Sequence, residues 1–183
     1  MNLSGRLLEQ VLILRCQIGD KEAYAELINR YHRPLRYFIS HLSDNTEMAE
    51  DIFQDSWVSV IRKIHTLRNL DAFPSWLYRI ARNMVYQQLR RKKKLSEFKE
   101  NIIVADETEN GAFSPEDAAQ IHKCLKELHP EHREVLVLRF LEKMSYQQIA
   151  DVLDCNLNTV KSRIYYAKFA LKRKMEEKNG KEK

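Results

Sequence analysis

Only four glycines and four prolines interrupt the 183 residues of this chain. That is too few turn formers for a fold of many tight connections, and stretches of alternating β-branched residues are scarce, so long helices with few breaks are expected. The fold is read as all-α. Long apolar runs are missing as well, none approaching the roughly 18 residues of a membrane span. The N-terminal stretch carries Arg6 and Glu9 where a secretory signal would place a basic start and then an apolar block. These two absences predict a cytoplasmic protein that is not itself inserted in a membrane. Cysteine is sparse: Cys16, Cys124 and Cys155 are odd in number and far apart, which suits reduced thiols better than a disulfide framework. Cys124, His129 and His132 lack a Cys-x-x-Cys companion and are interrupted by Pro130, so no metal site is assigned. A Gly-rich phosphate loop and a paired-carboxylate site are also missing; no catalytic residue and no cofactor is assigned, and the chain is not read as an enzyme.

What the chain does have is patterned charge. Lys and Arg number 31 against 26 Asp and Glu, a formal +5, and the distribution matters more than the excess because phosphate affinity comes from clusters on one face. One cluster runs Arg90-Arg91-Lys92-Lys93-Lys94, and a second spans 161–183. Between them, residues 95–117 hold Glu97, Glu100, Asp106, Glu107, Glu109, Glu116 and Asp117 against Lys99, with Asn110-Gly111 and Ser114-Pro115 as turn formers. This composition predicts a flexible acidic linker joining two small helical domains, 1–94 and 118–183. Its role is open between a solvated spacer and a mimic of nucleic acid.

In the first segment, Asp20 is placed to cap a helix with the apolar stripe Tyr24, Leu27, Ile28, Tyr31, Leu35 and Phe38. Asp44 and Glu47 predict a capping box for the next helix, with Ala49, Ile52, Phe53, Val60, Ile61 and Ile64 inward and Glu50, Asp51, Gln54 and Asp55 outward. A third helix is expected to start near Pro74 and turn Leu77, Ile80, Ala81 and Met84 inward. Arg79, Asn83, Tyr86, Gln87 and Arg90 then share one polar side, ahead of Lys92 and Lys93. Aromatic and amide groups alternating with Arg suit single-stranded DNA, whose bases stack on rings while cations track the phosphates. Tyr86 is the better stacking candidate, and Trp76 reads as core.

In the second segment, 118–128 is expected to be helical, and Pro130 opens a helix through Arg133, Val135, Leu136, Leu138 and Phe140. Ser145 and Gln148 form a predicted capping box for a short helix with Ile149, Ala150 and Leu153 inward. Asp154-Cys155 makes the turn, and Asn156 caps a last helix with Leu157, Val160 and Ile164 inward. Asn158, Thr159, Lys161, Ser162, Arg163 and Tyr166 are left outward. The spacing over 145–164 is that of a helix-turn-helix. In the usual docking, Asn158, Thr159, Ser162 and Arg163 would meet base edges of the major groove, and Lys161 a phosphate. On these residues alone, an ordinary helical hairpin with a solvated basic end stays open, as does a stand-alone helix-turn-helix regulator.

Three separated segments narrow the choice. Ala49-Glu50-Asp51-Ile52-Phe53-Gln54-Asp55, Ser75-Trp76-Leu77-Tyr78-Arg79-Ile80-Ala81-Arg82-Asn83, and Ser145-Tyr146-Gln147-Gln148-Ile149-Ala150 with Thr159-Val160-Lys161-Ser162-Arg163 closely resemble the signature segments of extracytoplasmic-function sigma factors, in the same order and spacing. The resemblance implies a first domain of the region-two type, binding the clamp coiled coil of the largest subunit of core RNA polymerase through Asp51, Gln54 and Asp55. It further implies that Arg79, Asn83, Tyr86, Gln87, Arg90, Lys92 and Lys93 melt and hold the −10 element of promoter DNA, Asn83 capturing a flipped base. The second domain resembles region four, which reads the −35 element as duplex through Asn158, Thr159, Lys161, Ser162, Arg163 and Tyr166 and meets the polymerase flap. An anti-sigma factor is an implied partner, and association with the nucleoid in holoenzyme follows. Departures from the pattern are Asp154, where many relatives carry Gly, His129 ahead of Pro130, and Tyr165-Tyr166-Ala167-Lys168, which is less Arg-rich than usual.

Overall fold

Several of the helices begin where a short polar side chain takes free backbone amides. The computed structural model describes residues 3–43, 45–96 and 115–179, and among these no strand forms. The chain divides into two units, Met1–Ile102 and Ile103–Lys183.

The first unit contains α1 (Leu3–Gln17), α2 (Lys21–Leu42), α3 (Thr46–Lys63) and α4 (Phe73–Ser96), with 3₁₀ turns at Ile64–Thr66 and Leu70–Ala72. After α1 the chain reverses at Gly19, whose φ of +87° is open to glycine at little cost. The Gly19 amide bonds to the Cys16 carbonyl at 3.0 Å and the Asp20 amide to Arg15 at 3.1 Å, the paired closure of a Schellman end. Asp20 then caps α2 as expected, accepting from the amides of Glu22 and Ala23 at 2.9 and 3.1 Å. Leu27, Leu35 and Phe38 of the predicted stripe are fully buried.

Two expectations for α3 are corrected. Its cap is Asn45, whose side chain accepts from Met48 N–H at 2.8 Å, while Asp44 lies outside the described residues. Ile61, expected in the core, is 45% exposed, and Ser56 and Trp57 take inner positions instead. The buried set Ala49, Ile52, Phe53, Ser56, Trp57 and Val60 forms one stripe, and because a helix turns once in about 3.6 residues, the row Phe53, Trp57, Ile61 drifts sideways until Ile61 falls beyond its edge. On α4, Leu77 and Ala81 are buried as expected, but Tyr78 and Val85 complete the inner face. Ile80 and Met84 are only partly covered.

Helix α1 acts as a brace. The Arg6 guanidinium donates to both carboxylate oxygens of Asp71, and the Gln10 amide donates to the same carboxylate at 2.9 Å. Gln17 donates to the carbonyls of Ile64 and Leu67 at 2.9 and 2.8 Å. Buried Glu9 accepts from the Tyr31 hydroxyl at 2.6 Å. The connection between α3 and α4 is therefore tied to α1 by side chains, which supplies partners that an irregular segment needs.

The second unit contains α5 (Pro115–Lys126), α6 (Pro130–Leu136), a π turn at Val137–Leu141, α7 (Tyr146–Leu153) and α8 (Leu157–Asn179). Helices α4 and α5 reach into both ends of the expected linker; 97–114 lie outside the described residues. Arg133 satisfies the end of α5, donating to the carbonyls of Lys126 and Leu128 at 2.8 and 3.1 Å. The π turn closes with Glu142 N–H on the Val137 carbonyl at 3.1 Å, and Met144 N–H bonds to the Leu138 carbonyl at 3.0 Å.

Lys143 and Asp154 hold φ of 54° and 52° without being glycine. A side chain there costs roughly 1–2 kcal/mol, less for Asp, whose short polar group bonds locally. The added freedom of an unfolded glycine takes back about 0.5–1 kcal/mol. Lys143→Gly is expected to stabilise the second unit by about 0.5–1 kcal/mol, and Asp154→Gly to change little. Hydrogen exchange at the α6 to α8 amides of the intact chain measures both; equal effects would sink the strain account.

The brace should also loosen in acid. Bonds from the Ala23 amide, then from Arg15, hold the Asp20 carboxyl below its ordinary value, and Arg6 does the same for Asp71. A depressed carboxyl lends stability that is complete above its unfolded value, about pH 4, and is lost as pH falls through the lower folded value. Below about pH 4, α1 is expected to detach ahead of the rest of its unit. Site-specific NMR shifts of α1 during an acid titration check this, and an α1 that melts only together with α2 to α4 would refute it.

Candidate nucleic-acid interfaces

The helix-turn-helix forms as its caps direct. Ser145 Oγ accepts from Gln148 N–H at 3.2 Å while the Gln148 side chain accepts from Ser145 N–H at 2.9 Å, a reciprocal capping box. Ile149, Ala150, Val152 and Leu153 are buried. Asp154 makes the left-handed turn, closed by Cys155 N–H on the Ala150 carbonyl at 3.1 Å. Asn156 accepts from the amide and hydroxyl of Thr159 at 2.8 and 3.0 Å, starting α8. Val160, Ile164 and Ala167 are its buried side. Leu157 was expected with them but is 37% exposed at the first position of α8.

The outward residues differ in readiness. Asn158, Lys161, Ser162 and Tyr166 are exposed, and Thr159 and Arg163 are half-buried. Ser162 donates its hydroxyl to the Thr159 carbonyl at 3.0 Å, leaving the oxygen able to accept. Arg163 is drawn to Glu131, 3.5 Å away. Arg139, which sequence reasoning passed over, donates to the Met144 carbonyl at 2.8 Å and lies 5.0 Å from the centre of the Tyr146 ring. It fixes the approach to α7.

The basic cluster over 161–183 splits. Lys172 pairs with Glu176 at 3.7 Å and Arg173 with Glu177 at 3.5 Å. Lys174 and Lys178 both reach Glu127, just past the end of α5, at 3.7 and 2.6 Å. The Lys178 contact holds the Glu127 carboxyl below its ordinary value. These distal cations serve packing and local neutralisation, whereas Lys161 and Lys168 stand exposed nearer the turn.

On α4 the expected polar side becomes a concavity. A recess of about 330 Å³ is lined by Arg82, Asn83, Tyr86, Gln87, Arg90 and Arg91. Asn83, Tyr86, Gln87 and Arg90 thus converge as expected. Arg79 is exposed but outside that lining, Lys92 is exposed beyond it, and the Lys93 side chain lies outside the described residues. Arg82 and Arg91 complete the lining; in the sequence Arg91 reads only as part of the basic run, and Arg82 carries no role of its own. The Arg82 guanidinium carbon lies 4.7 Å from the Tyr86 ring centre, a contact whose four-residue spacing was visible in the sequence. Trp76 is half-buried with its ring 6.1 Å from that of Phe73, in keeping with a core role.

Asp51, Gln54 and Asp55 are exposed on α3, in line with Val58 and the outward Ile61. Glu50 is set apart by its pair with Arg36 at 3.1 Å. Among the described residues no set of three or more His, Cys, Asp or Glu gathers as metal ligands would, and no helix is long and apolar enough to cross a membrane.

The comparisons with known proteins divide along the same line as the fold. Residues 27–95 match the family model of Sigma-70 region 2, and 118–171 match that of Sigma-70, region 4. The ECF RNA polymerase sigma-E factor of Haemophilus influenzae is 31% identical, over 95% of this chain and 98% of that protein. The RNA polymerase sigma-H factor of Pseudomonas aeruginosa is 30% identical, over 89% and 91%. Among solved structures, the sigma factor RpoE of Bartonella quintana, in complex with the anti-sigma factor NepR, superposes with a TM-score of 0.72 at 25% identity, covering 84% of this chain and 96% of that one.

Proposed function

This chain belongs to the extracytoplasmic-function sigma factors, which direct transcription initiation, and we propose that its two units read promoter DNA in two different forms. The observation that carries the proposal is the recess on α4, where Asn83, Tyr86, Gln87 and Arg90 meet on the side opposite buried Leu77, Tyr78, Ala81 and Val85. A base can enter such a recess only after leaving the stack, so this surface suits the melted −10 strand. Helix α8 suits the intact −35 major groove, with Asn158, Thr159, Ser162, Arg163 and Tyr166 toward the bases and Lys161 toward phosphate.

The exposed face of α3 suits the clamp coiled coil of core RNA polymerase. Acidic Asp51 and Asp55 with Gln54 lead directly into Val58 and Ile61, and a helix face that is charged at one end and apolar along the other matches a partner helix by both charge and packing. The flap is the proposed contact of the second unit, and an anti-sigma factor is a proposed partner, supported by the NepR complex of the Bartonella relative. In this reading the chain performs no covalent chemistry, works in the cytoplasm, and joins the nucleoid with the polymerase. A stand-alone regulator is not favoured, because it gives the region 2 unit no task.

Reversing charge with Asp51→Lys and Asp55→Lys is expected to lower affinity for core polymerase at least tenfold, since like charges placed across an interface repel. Circular dichroism should be unchanged because both side chains are exposed. A pull-down with unaltered core affinity would remove the clamp assignment. The DNA surfaces are tested separately in holoenzyme by fluorescence anisotropy. Ser162→Ala with Arg163→Ala is expected to weaken binding to upstream duplex selected from a random pool by about 1–3 kcal/mol, and to spare single-stranded DNA. Asn83→Ala with Tyr86→Ala is expected to do the reverse; equal losses on both probes would require one composite surface.

A further inference from the structure

The Tyr86 ring is not a bare platform. The guanidinium of Arg82 sits over it at 4.7 Å, well inside the roughly 6 Å range of a cation–π contact, and both groups line the recess beside Asn83. We propose that Arg82 stacked on Tyr86 is the plane against which an extruded base packs, so that the pair sets base affinity at this recess. The proposal rests on reading α4 as the surface for single-stranded DNA.

The chemistry of the guanidinium decides for Arg82. It is planar, delocalised and weakly hydrated, and it stacks on aromatic rings and on nucleic-acid bases alike. Held by Tyr86 four residues on, one turn away along the helix, it loses little further freedom when a base arrives. Asn83 follows Arg82 in the chain and offers an amide donor and a carbonyl acceptor to the edge of that base. Arg90 and Arg91 line the same recess and can serve the phosphates. Arg82 is distinguished from these by the ring beneath it.

The test keeps charge and removes the plane. The full chain is titrated with a fluorescein-labelled single strand of about twelve nucleotides in mixed sequence, and with an abasic sugar-phosphate strand of the same length. Arg82→Lys is expected to reduce affinity for the base-bearing strand about tenfold and to leave the abasic strand unchanged. In a Tyr86→Ala background the same substitution is expected to cost almost nothing, because the stack is already lost. Unchanged affinity for both strands in Arg82→Lys, or an equal fall on both, would overturn the proposal and leave Arg82 a phosphate contact. So would a full, additive loss in the Tyr86→Ala background. If the single-strand reading itself is wrong, the unmodified chain will not distinguish the two strands, and that failure is visible before any variant is made.

Discussion

The rotation of α4 about its own axis is set by Tyr78. Its side chain is 1% exposed, and its ring lies 5.0 Å from that of Phe38 on α2. With Leu77, Ala81 and Val85 fully buried beside it, the inner side of the helix is fixed, and Asn83, Gln87 and Arg90 are carried outward. Losing a core aromatic costs about 3–5 kcal/mol, more than a single polar contact to DNA returns. Packing therefore fixes the recess before any ligand is present. The side chains lining it inherit their directions from a hydrophobic decision made on the other side of the helix.

This dependence explains which features were legible in the sequence. Caps were readable where one residue has both the right type and the right spacing: Asp20, Ser145 with Gln148, and Asn156 all act as their positions suggested. Asn45 was obscured by its neighbour, because Asp44 and Asn45 are equally good caps and only the geometry of entry separates them. Ile61 was misread because apolar character says nothing of angle, and an exposed apolar residue looks like core in a one-dimensional pattern. The bracing by α1 was invisible for a different reason. Arg6, Gln10 and Gln17 act on Asp71 and on carbonyls near residue 65, more than forty positions away, and no local periodicity encodes such pairs. The family matches begin at residue 27, past this helix.

Charge was legible as composition but not as function. The sequence shows one basic run from 161 onward, whereas the fold sorts it by partner: the distal cations meet Glu127, Glu176 and Glu177, and Lys161 stays exposed near the turn. Exposed pairs of this kind contribute at most about 1 kcal/mol each. Their larger effect is to offset most of the positive charge of Lys172, Arg173, Lys174 and Lys178 with Glu127, Glu176 and Glu177. The exposed cations Lys161 and Lys168 nearer the turn are then the less neutralised part of the run.

Arg163 is held by an equally weak pair. Its pair with Glu131 at 3.5 Å leaves both side chains partly in water, 27% and 50% exposed, so separating them costs at most about 1 kcal/mol. A bidentate contact with the major-groove edge of guanine is worth about 1–3 kcal/mol. On the promoter-reading assignment, exchange of Glu131 for such a base is favourable. Exchange for one solvated phosphate, a contact of about the same strength as the ion pair it would replace, gains nothing. On that assignment Glu131 of α6 would act as a threshold, releasing Arg163 only to a partner that offers more than charge. The hydroxyl of Ser162 differs, because it donates to the Thr159 carbonyl and can still accept from a donor without surrendering that hydrogen bond. A recognition helix arranged this way favours duplexes that present the right donors and acceptors over those that merely present phosphate.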